Sequence, residues 1–313
     1  MRSSFSPAVY FAATCSRAVA IALSVLFAGC GQVWNDPYPA ADRSENILYR
    51  SFAERPKTLD PARAYASDEW NFVQQIYEPP LQYHYLKRPY ELVPQAADSM
   101  PEVRYIGADG ATLPANAPAS SIAFTDYVIH LRKDMRYQPH PAFAVDRSGR
   151  ARYLNMTEAE VKKYHALTDF ADTGTRPVFA SDYLYQVKRL AHPRLNSPVY
   201  SHLAEYIVGL KELGDRLKLE NDKIVSAHSA KYGPADRALP WLDLREFDLP
   251  GFQVINERNY RIRIKGKYPQ FIYWLAMPFF APMPFEAERF YSQRGMSDGR
   301  NITLDWFPIG SGP

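Results

Sequence analysis

The sequence predicts a mixed α/β fold, either α+β or α/β, on three observations. Apolar residues alternate well in "DYVIHLRKDMRY" and in "NYRIRIK", the period of half-buried strands. Elsewhere they recur at helical spacing behind residues able to start a helix, at Ser67, Thr157 and Ser181. The 26 prolines in 313 residues argue for many fixed turns and against a helical bundle.

The elements follow in order. Residues 18–29 form a short apolar run behind Arg2 and Arg17, the layout of a secretory signal peptide. A membrane span needs roughly 20 apolar residues, and this run is shorter. Residues 30–46 are polar and carry proline, which suits a flexible tether. "NILYRSFAE" is expected as a first strand, and "RPKTLDPARAYAS" as a loop. Ser67 is expected to cap a helix opening on Asp68 and Glu69, with Trp70, Val73 and Tyr77 facing a core before Pro79-Pro80 stops it. In the strand from Asp126, Tyr127, Ile129 and Leu131 share one face and Val128, His130 and Arg132 the other. His130 reads as a ligand group or, more simply, as a surface residue.

"TEAE" at residues 157–160 is a capping box. "SDYLYQVKRL" is expected as a helix with Leu184, Val187 and Leu190 inward, and residues 199–213 as a third. "GFQVINERNYRIRIKG" predicts a hairpin whose arginines form a solvated face. "QFIYWLAMP" predicts an apolar helix cut at Pro278.

Net charge is +3, and about +1 without Arg2 and Arg17, so nothing favours nucleic acid as a partner. Aromatics make up 14% of the chain, enough both to fill a core and to line a cleft. No glycine-rich phosphate loop leads into a Lys-Ser or Lys-Thr pair, and "IGSGP" lacks the spacing of a nucleophile elbow. The seven histidines are scattered, with no pair at metal-ligand spacing. Carboxylate pairs sit at helix starts, where capping explains them; an acid/base pair assembled from distant residues stays open. The expectation is a protein without catalysis, metal or cofactor.

Two resemblances complete the reading. "FAGC" at residues 27–30 resembles a bacterial lipoprotein box, with Phe27 where Leu is usual. It implies that Cys30 is acylated, anchoring the protein to a membrane outside the cytoplasm. The other cysteine, Cys15, falls in the discarded segment, so no internal disulfide is expected. The second resemblance covers the chain from about residue 47 onward. "RPKTLDPARAYASDEWNFVQQIYEPPL", "YVIHLRKDMRY", "FASDYLYQVKRLAHP", "GFQVINERNYRIRIKGKYPQFIYWLAMPFFAPMP" and "FPIGSGP", in that order, resemble the solute-binding proteins of peptide ABC importers, the oligopeptide and dipeptide group called family 5.

The family resemblance implies a periplasmic-binding-protein-like type II lobe over residues 47–313, with mixed sheets flanked by helices. It implies a peptide ligand and permease subunits as partners. Residues 141–180 and 214–250 are longer than the family pattern and are expected as surface insertions. In the family the glycine-rich turn falls near mid-chain, so a second lobe is expected to be largely missing here. Apolar surface around Trp274, Phe279 and Phe280 is then expected to be uncovered. Glu54, Lys57 and Thr58 are expected to line the ligand cleft, or else to form a plain solvated turn. The alternative function is a lipid-anchored protein that binds or hydrolyses glycans.

Overall fold

The computed structural model describes residues 38–47, 49, 51–297 and 302–312. The expected signal segment and Cys30 lie outside the described residues. The chain divides into two units, Met1–Ser51 and Phe52–Pro313. In the first, the described residues hold one 3-10 turn, Ala40–Ser44, and the Tyr49 hydroxyl donates to Asp42 at 2.5 Å. The described residues of "NILYRSFAE" join no strand, against expectation. Strands exist only as members of a ladder, and alternation alone supplies no partner.

The second unit is built on a five-stranded antiparallel sheet. Its strands are β3 (Glu102–Ile106), β4 (Thr112–Leu113), β5 (Phe124–His130), β6 (Phe252–Asn256) and β7 (Asn259–Lys265), in the order β4-β3-β5-β7-β6. A separate hairpin joins β1 (Leu81–Tyr83) to β2 (Leu92–Pro94). The strand expected from Asp126 is β5, at the centre of the sheet. Tyr127, Ile129 and Leu131 face the core as expected, against Tyr260, Ile262 and Ile264 of β7.

The opposite face differs from expectation. Asp126 and Val128 are buried there, and Arg261 and Arg263 are half-buried. Asp126 sits opposite Arg263 in the β5–β7 register and accepts from it at 2.7 and 2.8 Å. The arginines lie flat over a buried carboxylate, so their stems cover apolar surface that alternation assigns to water. His130 is half-buried, with Nδ1 2.8 Å from the Asn259 side-chain oxygen.

Helix α1 (Ser67–Ile76) buries Val73 and partly buries Trp70, and Tyr77 just beyond it is buried. Its N-cap is Ala66, one residue before Ser67. The cap work passes to Glu69, whose carboxylate accepts from the Tyr65 and Ala66 amides at 2.9 and 3.0 Å. Helix α2 (Glu158–Val161) carries the expected capping box: the Thr157 amide donates to Glu160 at 2.7 Å, and the Glu160 amide donates back to the Thr157 hydroxyl at 3.3 Å.

Helix α3 (Ala180–Leu190) starts from Phe179, whose amide is held by Asp182 at 2.9 Å. Ser181 is therefore inside the helix. The single helix expected over 199–213 is two, α4 (Tyr200–Tyr206) and α5 (Leu210–Tyr232). The break follows from Gly209, at φ 81°, and from Ile207, which bridges to Ile264 of the sheet. "QFIYWLAMP" gives only a short α6 (Phe271–Trp274), followed by a 3-10 turn at Pro278–Phe280; α7 (Phe285–Tyr291) comes next.

Residues expected as surface insertions contribute to the core. Tyr153, Leu154, Val161 and Phe170 are buried, and Phe170 packs edge-on to Phe290 of α7 at 5.1 Å. Leu217 of α5 is fully buried, and Gly214 lies where any side chain would strike Tyr200. Polar average composition hid these few inward residues. Phe279 and Phe280 are also buried, not uncovered, and Trp274 is partly buried; the exposed Tyr65 has its ring 6.4 Å from that of Phe279.

Candidate ligand-binding site

The loop Phe52–Ala66 carries all three residues expected to meet ligand. Its shape is set by Asp60. One Asp60 carboxylate oxygen accepts the Ala62 amide at 2.9 Å, and the Asp60 carbonyl accepts the Arg63 and Ala64 amides at 3.0 and 2.8 Å. This is the local side-chain bond by which aspartate replaces a backbone turn.

Beneath the loop, Arg189 of α3 donates to both Asp60 oxygens at 2.9 and 2.7 Å. Its Nε donates to Glu288 of α7 at 3.0 Å, and Nη1 also reaches Gln186 at 3.0 Å. The Tyr185 hydroxyl donates to the same Glu288. Arg189 is 1% exposed. Burial pushes the Asp60 carboxyl up, but the Arg189 charge and hydrogen bonds outweigh it and hold the carboxyl below the usual range. Bidentate geometry of this kind fixes orientation as well as charge.

Above the loop lies the C-terminal stretch. The Leu59 amide donates to the Asp305 carbonyl at 2.9 Å, and the Thr58 hydroxyl donates to the Asp305 carboxylate. Arg63 donates to both Asp305 oxygens at 2.9 and 3.1 Å, and Arg55 lies 4.7 Å over the Trp306 ring. The glycine turn then seats on the end of α1. The Gly312 amide donates to the Ile76 carbonyl at 3.0 Å, and Gln138 binds the Gly310 and Gly312 carbonyls at 3.0 and 3.2 Å. A side-chain carbon at Gly310 would stand 1.9 Å from the Ile76 carbonyl oxygen. Only glycine permits that approach.

The three expected residues therefore divide. Glu54 and Lys57 are exposed on the outer side of the loop. Thr58 is 6% exposed and turned inward onto Asp305 and the Asp60 amide, so its contacts are those of the frame. Sequence reasoning missed Arg189, Glu288 and Asp305. A signal for Arg189 existed: Asp182, Gln186 and Arg189 recur four and then three residues apart, a polar stripe among the buried residues of the helix. Nothing local marks Glu288 or Asp305.

A parallel cluster braces the other end of α3. Arg176 donates to Asp182 at 2.8 Å through each Nη, and to Glu286 at 2.8 and 2.7 Å. Open cavities of about 590 and 620 Å³ lie away from the loop, beside Asn256–Asn259 and beside Pro193 and Lys218. Among the described residues, no group of three or more His, Cys, Asp or Glu side chains is placed to hold a metal ion, and no helix is long and apolar enough to cross a membrane.

No protein-family model matches the chain, and no curated protein matches it. Solved structures do. The Escherichia coli murein tripeptide binding protein MppA is 17% identical, with 82% of this chain and 33% of that chain covered at a TM-score of 0.43. Listeria monocytogenes OppA bound to peptide gives 17%, 82%, 33% and 0.43. The Helicobacter pylori periplasmic binding protein DppA, in complex with the peptide STSA, gives 14%, 82%, 34% and 0.44. The chain spans about a third of the length of these structures, which are binding proteins of the kind the sequence resemblance names. The fold itself is the mixed α/β class read from the sequence, with sheets flanked by helices.

Proposed function

We propose that this chain is part of the extracytoplasmic substrate-binding component of an ABC importer, which binds peptides and delivers them to membrane permease subunits. The observation that supports this most is convergence. The "TLDP" loop, the "QVKRL" helix and the "FPIGSGP" turn are far apart in sequence, and each carries part of the resemblance. In space the loop and the helix meet through Asp60 and Arg189, Asp305 just ahead of the turn binds the loop, and the turn itself seats on the end of α1 through Gly312. A rigid frame under an exposed loop is what a binding surface needs. Glu54 and Lys57 are the residues of that loop proposed to meet the peptide, with exposed peptide backbone pairing to main-chain groups. Cys30 is proposed as the lipid-bearing residue that keeps the protein at the membrane, and no catalysis is assigned.

The test is photo-crosslinking from position 57, with a control probe at position 218 on α5, in the presence of a random peptide library and of mixed oligosaccharides. Crosslinking also captures weak binding. Peptide adducts at position 57 and none at 218 are expected. Sugar adducts in place of peptide would favour the glycan reading, and equal labelling of both positions would end the proposal for this loop. Separately, a Cys30→Ser chain behind an ordinary cleavable signal peptide is expected to leave the membrane fraction. Retention after a salt wash would place the anchor elsewhere.

A further inference from the structure

The loop joining β1 to β2 reads "HYLKRPYE", residues 84–91. Tyr85 is 88% exposed, Leu86 77% and Tyr90 67%. Tyr83 and Tyr273, both exposed, extend the patch: Tyr83 stacks on Tyr273 at 6.4 Å and meets Tyr90 edge-on at 5.8 Å. Single exposed apolar residues are ordinary, but a contiguous group of them marks an interaction surface.

The display is held in place. The His84 amide donates to the Glu91 carbonyl at 2.8 Å, closing the loop at its base. The His84 Nδ1 accepts the Leu86 and Lys87 amides at 3.2 and 3.3 Å. Arg88 donates to the Lys87 carbonyl at 2.8 Å while its guanidinium lies 4.5 Å over the Tyr90 ring. These bonds spend the polar backbone of the tip inward and leave Tyr85 and Leu86 pointing out.

We propose that this loop docks on the surface of an anionic membrane, with Tyr85 and Leu86 entering the interfacial layer and Arg88 meeting lipid phosphates. Three features select a bilayer over a protein partner. The patch's most exposed residues, Tyr85 and Leu86, lie in the turn between two paired strands, and at 88% exposure the Tyr85 side chain lies against almost no protein surface. Its chemistry is that of interfacial anchors: tyrosine, with an apolar ring and a polar end, beside leucine and basic residues. Its charge is complementary to anionic headgroups, since Glu91 is bound to Lys87 at 2.8 Å and Arg88 has no carboxylate among its contacts.

The proposal agrees with the lipoprotein reading, because an anchor at Cys30 keeps the domain near lipid. The proposal does not depend on acylation, and the experiment separates the two.

The experiment uses residues 30–313 carrying Cys30→Ser, which has no lipid, with phosphatidylcholine vesicles prepared with and without phosphatidylglycerol. Binding is read by flotation. Partition onto the anionic vesicles is expected, with little onto the neutral ones and less at raised salt. Tyr85→Ser combined with Leu86→Ser is expected to weaken it about tenfold. Arg88→Gln is expected to weaken it about fivefold. Both sets change exposed side chains, and unchanged circular dichroism and melting verify that the variants fold. No partition by the parent chain, or partition indifferent to these substitutions, overturns the proposal. So does a monomer–dimer equilibrium, measured by sedimentation, that the same substitutions abolish, because the patch would then serve a second copy. Failure here leaves Cys30 acylation untouched, since that is read from the membrane fraction of the lipidated chain.

Discussion

Arg189 sits at 1% exposure between Asp60 and Glu288, while Arg88 stands in solvent over the ring of Tyr90. Tyr77 and Tyr183 are buried in the core, while Tyr85 and Tyr90 project from the β1–β2 loop. The same residue types serve opposite ends in the two regions. In the frame, arginine supplies the bonded cation for two carboxylates held away from water. At the hairpin tip nothing is desolvated, and the side chains are available to whatever meets them. The frame should therefore govern stability and the tip should leave it alone.

The largest effect should come from Arg189→Met. The substitution keeps an unbranched apolar stem but removes the guanidinium, which strands Asp60 and Glu288 together below the surface. Loss of one member of a buried ion pair costs about 3–5 kcal/mol. Urea unfolding is expected to show a drop of that size with an unchanged slope, and Arg88→Met is expected to show none. Equal effects of the two would break the comparison.

Gly310→Ala ranks second. The added carbon would lie 1.9 Å from the Ile76 carbonyl, a backbone atom at the end of α1. Either the turn lifts away or the helix end shifts, at a cost of about 2–3 kcal/mol. The same experiment reads it, and Gly149→Ala supplies a control of another kind: its strain is conformational, at φ 79°, with open space around it.

Acid should loosen the buried region next. His140 and His192 are 5% and 6% exposed, and burial lowers them to about 3 and about 4. The His140 Nδ1 accepts the Ala142 amide at 3.0 Å, and the His192 Nδ1 accepts the Arg194 amide at 3.0 Å, bonds that require neutral rings. Below pH 6.5 the unfolded chain takes up protons that the folded chain refuses. Stability is then full above about pH 6.5 and falls with pH until the folded values near 4 and 3 are reached. Each histidine contributes about 2 kcal/mol of loss between pH 7 and 5. Replacing His140 with Gln is expected to flatten the pH dependence, measured as urea midpoints across this range.

Much of this architecture was legible in the sequence, for physical reasons that also mark where legibility ended. β7 alternates strictly and β5 nearly so, and each has an adjacent ladder to join, so the period sufficed. The box at Thr157 names its own partner three residues on. "NILYRSFAE" has strand-like residues without a ladder, and nothing local reveals that. Arginine 263 reads as solvated because alternation records which face a residue takes, not whether a carboxylate such as Asp126 waits there. In the loop expected to meet ligand, Thr58 was grouped with its outward neighbours because Asp305 lies 247 positions away.

That last division yields the smallest and most discriminating prediction. Thr58→Ala removes a hydroxyl that donates to the Asp305 carboxylate and accepts the Asp60 amide at 3.1 Å, both at a buried position. Leaving such partners unsatisfied costs about 1–2 kcal/mol. Glu54→Ala and Lys57→Ala remove exposed side chains and should change stability by less than about 0.5 kcal/mol. If the outer side of the loop meets ligand, ligand capture should respond in the reverse order. Glu54→Ala and Lys57→Ala should each reduce peptide crosslinking from a probe placed at the exposed Tyr65, while Thr58→Ala, once folded, should leave it nearly intact. Thr58 is a residue of the frame, and its loss shifts the population of folded chains without altering the surface a peptide touches. Unfolding midpoints and crosslink yields taken on the same three proteins separate the two roles. Crosslinking that falls only with Thr58→Ala, in step with stability, would mean that the loop supports the fold and meets no peptide.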